Sequence, residues 1–197
     1  MPIKRRKKKG LTKHKSILLV CEGKETEVIY FERLKQLLNL PNVTIKVDGT
    51  GKSGISLLNT ASGKVSNSKK NFDSVWIIFD KDNLPRDQLE LTFKKAEERN
   101  IGVGFTNLCF ETWLLLHFEF LNGEYDLTKT KLHKKMSDYL KVKYGESKSQ
   151  IDIIGKIAER WETAKQHSEA LMSNQNDRYV NPYSNIHIVL NDLIPNK

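Results

Sequence analysis

The chain has 197 residues, 38% of them hydrophobic and 29% charged, with 11 glycines, five prolines and two cysteines. This is the mix of a globular unit large enough to bury a core without staples. It excludes a disulfide scaffold, a collagen-like repeat and a spanning helix, since no apolar run approaches the ~20 residues a bilayer needs.

The first element in chain order is a charge block. Residues 1–15 hold eight Lys or Arg and no acid, so of the net +9 only +1 belongs to the rest of the chain. Lys4, Arg5, Arg6, Lys7, Lys8 and Lys9 form its centre. A run of like charge with few apolar residues is predicted to be a disordered tail. It reads either as an arm adding salt-sensitive affinity for nucleic acid phosphates or as a solvated tail without specific work. No apolar stretch follows the basic start, so no secretory leader is expected. Two isolated cysteines suit a reduced, cytoplasmic setting.

Residues 16–20 form a nearly continuous apolar run, the pattern of a strand buried on both faces. Apolar residues Val28, Phe31, Leu34 and Leu38 recur at helical steps until Pro41 stops them. Val43–Val47 is a β-branched second strand. A glycine-rich turn then leads to a weaker helix at 55–65. Ser74–Phe79 is the clearest strand, Pro85 opens a helix to about Arg99, and Gly102–Phe105 is a short fourth strand. This βαβαβαβ order predicts a parallel sheet of about four strands flanked by helices on both faces, an α/β fold. The remainder is predicted helical: a buried helix over 108–121, a basic one over 129–139, one long amphipathic helix from Ile151 to Leu171, and a last helix from about Ser184 to Leu193 after the Asn181-Pro182 break. The chain thus divides into a tail (1–15), an α/β core (16–106) and a helical region packed on it (107–197), one domain overall.

Ligands of open α/β sheets sit beyond the carboxyl ends of the strands, and acids collect there. The first strand runs into Glu22-Gly23 and the third into Asp80-Lys81-Asp82. Residues two apart in extended chain share a face, which aims Asp80 and Asp82 at one spot beside Glu22. Converging carboxylates repel one another unless a cation lies between them, and hard oxygen donors suit Mg²⁺ or Mn²⁺. Gly23 allows a sharp turn after Glu22. Glu25 and Glu27 begin the next helix, where acids favour the positive helix start; Glu27 is also a candidate second metal ligand. The competing account of Asp80 and Asp82 is ordinary turn and cap chemistry.

Glu22-Gly23 after one strand and Asp80-Lys-Asp82 after a later one resemble the Toprim signature of topoisomerases, primases and OLD-type nucleases. The fuller wording is closer to the RloB-like family found in abortive-infection and phage-defence loci. It is carried by residues 17–27 with Tyr30-Phe31, by 75–82, by Asn107-Leu-Cys-Phe-Glu-Thr-Trp113 and its continuation to Phe118, and by Asn181–His187. The resemblance implies a Toprim-like fold and metal-dependent phosphodiester hydrolysis on DNA or RNA beside a companion ATPase, with a homo-oligomer open; it equally admits a non-catalytic nucleic-acid-binding or adaptor subunit. In the catalytic case Glu22, Asp80 and Asp82 hold Mg²⁺ or Mn²⁺, Glu22 doubles as general acid or base, and Glu27 helps place a second ion. Lys24 offsets transition-state charge in preference to Lys81, which alternates away from the two Asp side chains. A topoisomerase tyrosine domain does not fit the length, and two lone cysteines make no primase zinc ribbon.

Glu111 lies in the first turn of the apolar helix, where helix-start stabilisation competes with a further catalytic acid suggested by the resemblance. His117 reads as a satisfied core histidine. Asn181 and Ser184 are natural caps, and His187 is an acid/base or phosphate-contact candidate. Gly49-Thr-Gly-Lys-Ser-Gly54 lacks the first glycine of a phosphate-binding loop and reads as a flexible turn near the substrate. Cys21 and Cys109 read as buried thiols, and Trp76, Trp113 and Trp161 as core.

Overall fold

The computed structural model describes residues 15–47, 51, 53–122, 126–147, 151–175 and 177–194. The basic residues Lys4, Arg5, Arg6, Lys7, Lys8 and Lys9 and most of the 49–52 turn lie outside the described residues.

The alternating half of the chain gives β1 (Ile17–Cys21), α1 (Thr26–Leu37), β2 (Val43–Val47), α2 (Gly54–Ser66), β3 (Ser74–Asp80), α3 (Arg86–Glu98) and β4 (Gly102–Asn107). These are followed by α4 (Glu111–Leu115), α5 (Lys129–Leu140), α6 (Tyr144–Ser147), α7 (Ile151–Ala158), α8 (Trp161–Asn174), β5 (Tyr183–Ser184) and α9 (Ile186–Leu193). The sheet order is β2-β1-β3-β4-β5, parallel except for the last strand. Every residue of β1 is buried: Ile17, Leu19 and Cys21 enter one apolar cluster, Leu18 and Val20 the other. The first cluster packs α1, α4, α5, α7, α8 and α9 on one face, while α2 and α3 cover the opposite one. Strands sandwiched this way need apolar side chains at odd and even positions alike, which is why β1 reads as a continuous run.

Three expectations change. The sheet gains a fifth strand, β5, antiparallel to the end of β4. Its hold is extended by the Asn185 side chain: the Phe105 N–H donates to Oδ1 at 2.6 Å, and Nδ2 donates to the Val103 carbonyl at 2.9 Å. Asn185→Ala leaves both buried backbone groups unpaired, at about 1–3 kcal/mol each. The expected loss of about 2–4 kcal/mol is read as a fall in Tm of about 5–15 °C by calorimetry; a change within 1 °C contradicts this role. The predicted helix over 108–121 is only α4, because His117 Nδ1 donates to the Trp113 and Leu114 carbonyls and the chain tightens into i→i−3 bonds at His117 and Phe118. The single helix predicted from Ile151 is two. Arg160 leaves helical geometry (φ −98°, ψ 21°), so α7 packs on α1 while α8 turns to meet α4, α9 and β5. One straight helix cannot serve both surfaces.

At the amino-terminal edge of the sheet, Asp192 of α9 accepts hydrogen bonds from Trp76 Nε1 (2.9 Å), Ser74 and Lys15 Nζ (2.7 Å). Burial alone would push its carboxyl up; these donors outweigh burial and hold it below the ordinary value. Among the described residues no helix is long and apolar enough to cross a membrane.

Candidate active site

Parallel pairing puts the ends of β1 and β3 side by side. Cys21 is level with Ile78, and the Glu22 N–H extends the ladder by donating to the Ile78 carbonyl at 2.9 Å. Asp80 is the last residue of β3, level with Thr106, and its Oδ2 accepts the Phe110 N–H at 3.2 Å. Asp82 arrives differently from the expected strand alternation. Its φ is +38°, in the left-handed region that Asp tolerates better than most residues, and the turn closes with the Leu84 N–H on the Lys81 carbonyl at 2.8 Å. After Glu22, Gly23 lets Glu27 fold back over the backbone: a Cβ at Gly23 would stand 2.0 Å from the Glu27 carboxylate.

The result is an open cleft of about 480 Å³ whose lining includes Glu22, Glu25, Glu27, Asp80 and Asp82, together with Lys24 and Gly51. Burial, followed by the charges of Asp82, Glu27 and Glu22, pushes the Asp80 carboxyl well above the usual range, against the pull of Lys129. Lys129 was no sequence candidate. The Thr128 hydroxyl caps α5 by accepting the Lys131 N–H at 3.2 Å, which sets Lys129 in the first turn with its ammonium ion-paired to Asp82. Nothing in the sequence links two residues 47 positions apart; only the folding of α5 against α4 and the cleft does so.

Glu111 is buried and is not part of the cleft lining. The Tyr144 hydroxyl donates to its Oε1 at 3.5 Å, and His133 Nε2 stands 4.0 Å away. The Cys109 thiol feels both acids: burial, then Glu111 and Asp80, push it up. His187 is tied elsewhere, its Nδ1 2.7 Å from the Ser168 hydroxyl, which donates to the Ser184 carbonyl. Asn181 donates to the Leu127 carbonyl at 2.6 Å and caps no helix. Lys15, anchored on Asp192, marks the root of the basic segment. It lies at the sheet edge opposite Glu22, roughly 20 Å away along β1.

The donor chemistry fits a divalent cation. The cleft offers only oxygen ligands, their charges crowd one another, and an ammonium already sits against Asp82. Among the described residues, however, no group of three or more His, Cys, Asp or Glu side chains is arranged to hold a metal ion as placed.

The profile of the RloB-like protein family matches residues 17–193. No curated protein and no solved structure matches the chain.

Proposed function

The chain belongs to the RloB-like protein family, and from that premise we propose that it is a metal-dependent nuclease of Toprim type, hydrolysing phosphodiester bonds of DNA or RNA in a phage-defence system beside an ATPase. The observation that carries this reading is the crowding of Glu22, Glu27 and Asp82 around the half-buried Asp80 at adjacent strand ends. Such crowding is costly without a cation, and sites of strongly perturbed acids in a cleft are where chemistry concentrates.

Asp80 and Asp82 would hold the ion and Glu22 would share it. When bound, Mg²⁺ or Mn²⁺ supplies Lewis acidity toward a phosphate oxygen. Glu22, half-buried at the cleft wall, takes the proton of the attacking water. Lys24 in the lining offsets negative charge on the phosphate. Glu27, folded over Gly23, keeps the acid cluster dense enough to favour a second cation. Glu111 supports through Tyr144, and His187 takes no part. Lys129, ion-paired to Asp82, would have to leave that carboxylate for a cation to be held there.

That ion pair, together with the lack of a ready three-ligand set among the described residues, favours a second reading: a nucleic-acid-binding or adaptor subunit without chemistry. One experiment separates the two. Labelled DNA and RNA are incubated with the protein and titrated Mg²⁺ or Mn²⁺. Cleavage that falls about 100-fold or more in Asp80→Asn and Asp82→Asn supports the nuclease. Cleavage unchanged in both variants refutes the site, and binding without cleavage at every metal concentration supports the adaptor.

A further inference from the structure

A second groove, of about 540 Å³, runs between α3, β4 and residues 177–185. Arg178 in its lining, and Arg86 against the lining residue Tyr179, each lie over an aromatic ring. The Arg178 guanidinium lies 4.0 Å from the centre of the Phe93 ring, and that of Arg86 lies 4.3 Å from the centre of the Tyr179 ring. Arg86 is held on its edge as well, with Nε donating to Glu90 at 2.9 Å, yet its side chain is 68% exposed. An exposed arginine ordinarily samples many rotamers. Here a ring and a carboxylate both hold the guanidinium while most of the side chain stays exposed, a ready stacking platform.

The Arg86 end of this platform is close along the chain to the acid cleft. Arg86 follows Asp82 by four residues, at most about 14 Å of chain. The segment bearing Arg178 is tied to the same sheet edge, since Asn107 Nδ2, at the end of β4, donates to the Arg178 carbonyl at 3.1 Å. Strand β4 is the neighbour of β3, with Thr106 level with Asp80.

Resting on the nucleic-acid reading above, we propose that this groove seats unpaired bases, so that the substrate is a single strand whose backbone crosses the acid cleft while its bases stack on Arg86–Tyr179 and Arg178–Phe93. Bases in a duplex have their faces covered by their neighbours; only an unpaired base offers one to a ring or guanidinium plane. The walls carry Glu90 and Glu97 against Lys94 and Arg178. This near balance of charge does little to attract the dense phosphates of a duplex and leaves stacking as the main attraction.

The test uses the full chain in EDTA, so that cleavage does not enter, with labelled 20-mers of dT or U and a mixed-sequence 20-base-pair duplex as probes. The wild type is expected to bind a single strand more tightly than the duplex. Tyr179→Ala weakens single-strand binding about tenfold and leaves duplex binding unchanged. Arg86→Lys, an exposed position that does not threaten folding, keeps the charge but loses the plane and weakens it several-fold. In both variants the loss is the same at low and high salt. Wild-type preference for the duplex, no binding of either single strand, or equal losses on both probes would overturn the inference. A chain that cleaves nucleic acid yet fails this test defeats the single-strand assignment alone; one that passes it without ever cleaving defeats only the catalytic reading.

Discussion

Asp80→Asn is expected to raise the melting temperature in EDTA by about 2–6 °C while abolishing any gain on adding Mg²⁺. The carboxylate is half-buried at a strand end and faces the like charges of Asp82, Glu27 and Glu22. Keeping it ionised there opposes folding, and the asparagine removes the charge at nearly constant shape. Its carbonyl oxygen still accepts the Phe110 N–H that Asp80 Oδ2 accepts now, so no hydrogen bond need be lost. Relief of about 1–2 kcal/mol corresponds to that shift in a chain of this size. In the wild type a ligand at about 100 times its dissociation constant adds about 2.7 kcal/mol, so saturating Mg²⁺ reverses the order of the two proteins. Calorimetry of both, with and without the metal, reads all four values. A lower Tm for Asp80→Asn in EDTA would show that the acid cluster stabilises the fold and is no strained site held for function.

The legibility of this architecture follows the range of the interactions involved. Strands β1 and β3 were readable because burial on both faces forces unbroken apolar runs, Ile17–Cys21 and Val75–Phe79, and a local pattern records that burial. The acids after them were readable for the same reason: once the strand ends are known, Glu22 and Asp80 fall at one edge. Asp82 reached the cleft as expected, but by a left-handed turn, since a single positive φ at an aspartate leaves no periodic trace. Strand β5 was not readable. Two residues carry no alternation, and what holds them is the Asn185 side chain bonded to β4 some 80 residues earlier. The break between α7 and α8 has no Gly or Pro to mark it; it follows from two docking surfaces that the sequence does not display. Lys129 was likewise hidden, because an ion pair with Asp82 depends on where α5 lands.

His117 makes the fold acid-sensitive, and the effect is expected to be large. Its ring is completely buried. Nδ1 faces the Trp113 and Leu114 carbonyls at 3.1 and 3.2 Å, which can only accept, so Nδ1 carries the proton and Nε2 accepts from the Tyr30 hydroxyl at 3.0 Å. Burial lowers its pKa to about 3, against the raising effect of the two carbonyls and with a smaller push from Arg160 and His167. The unfolded value is about 6.5. Between these limits the unfolded chain binds a proton that the native chain does not, so this contribution is complete above pH 6.5 and is lost as the pH falls toward 3. The slope approaches about 1.4 kcal/mol per pH unit, and from pH 6.5 to 4.5 the loss from this one group is about 2 kcal/mol. His117→Gln keeps an acceptor for Tyr30 and lacks the titration. Urea unfolding across this range is therefore expected to show the variant as the less stable protein at pH 7, with the gap narrowing by about 2 kcal/mol at pH 4.5. Parallel curves would mean that the native state accommodates the imidazolium, which requires the Tyr30 and carbonyl contacts to rearrange on protonation.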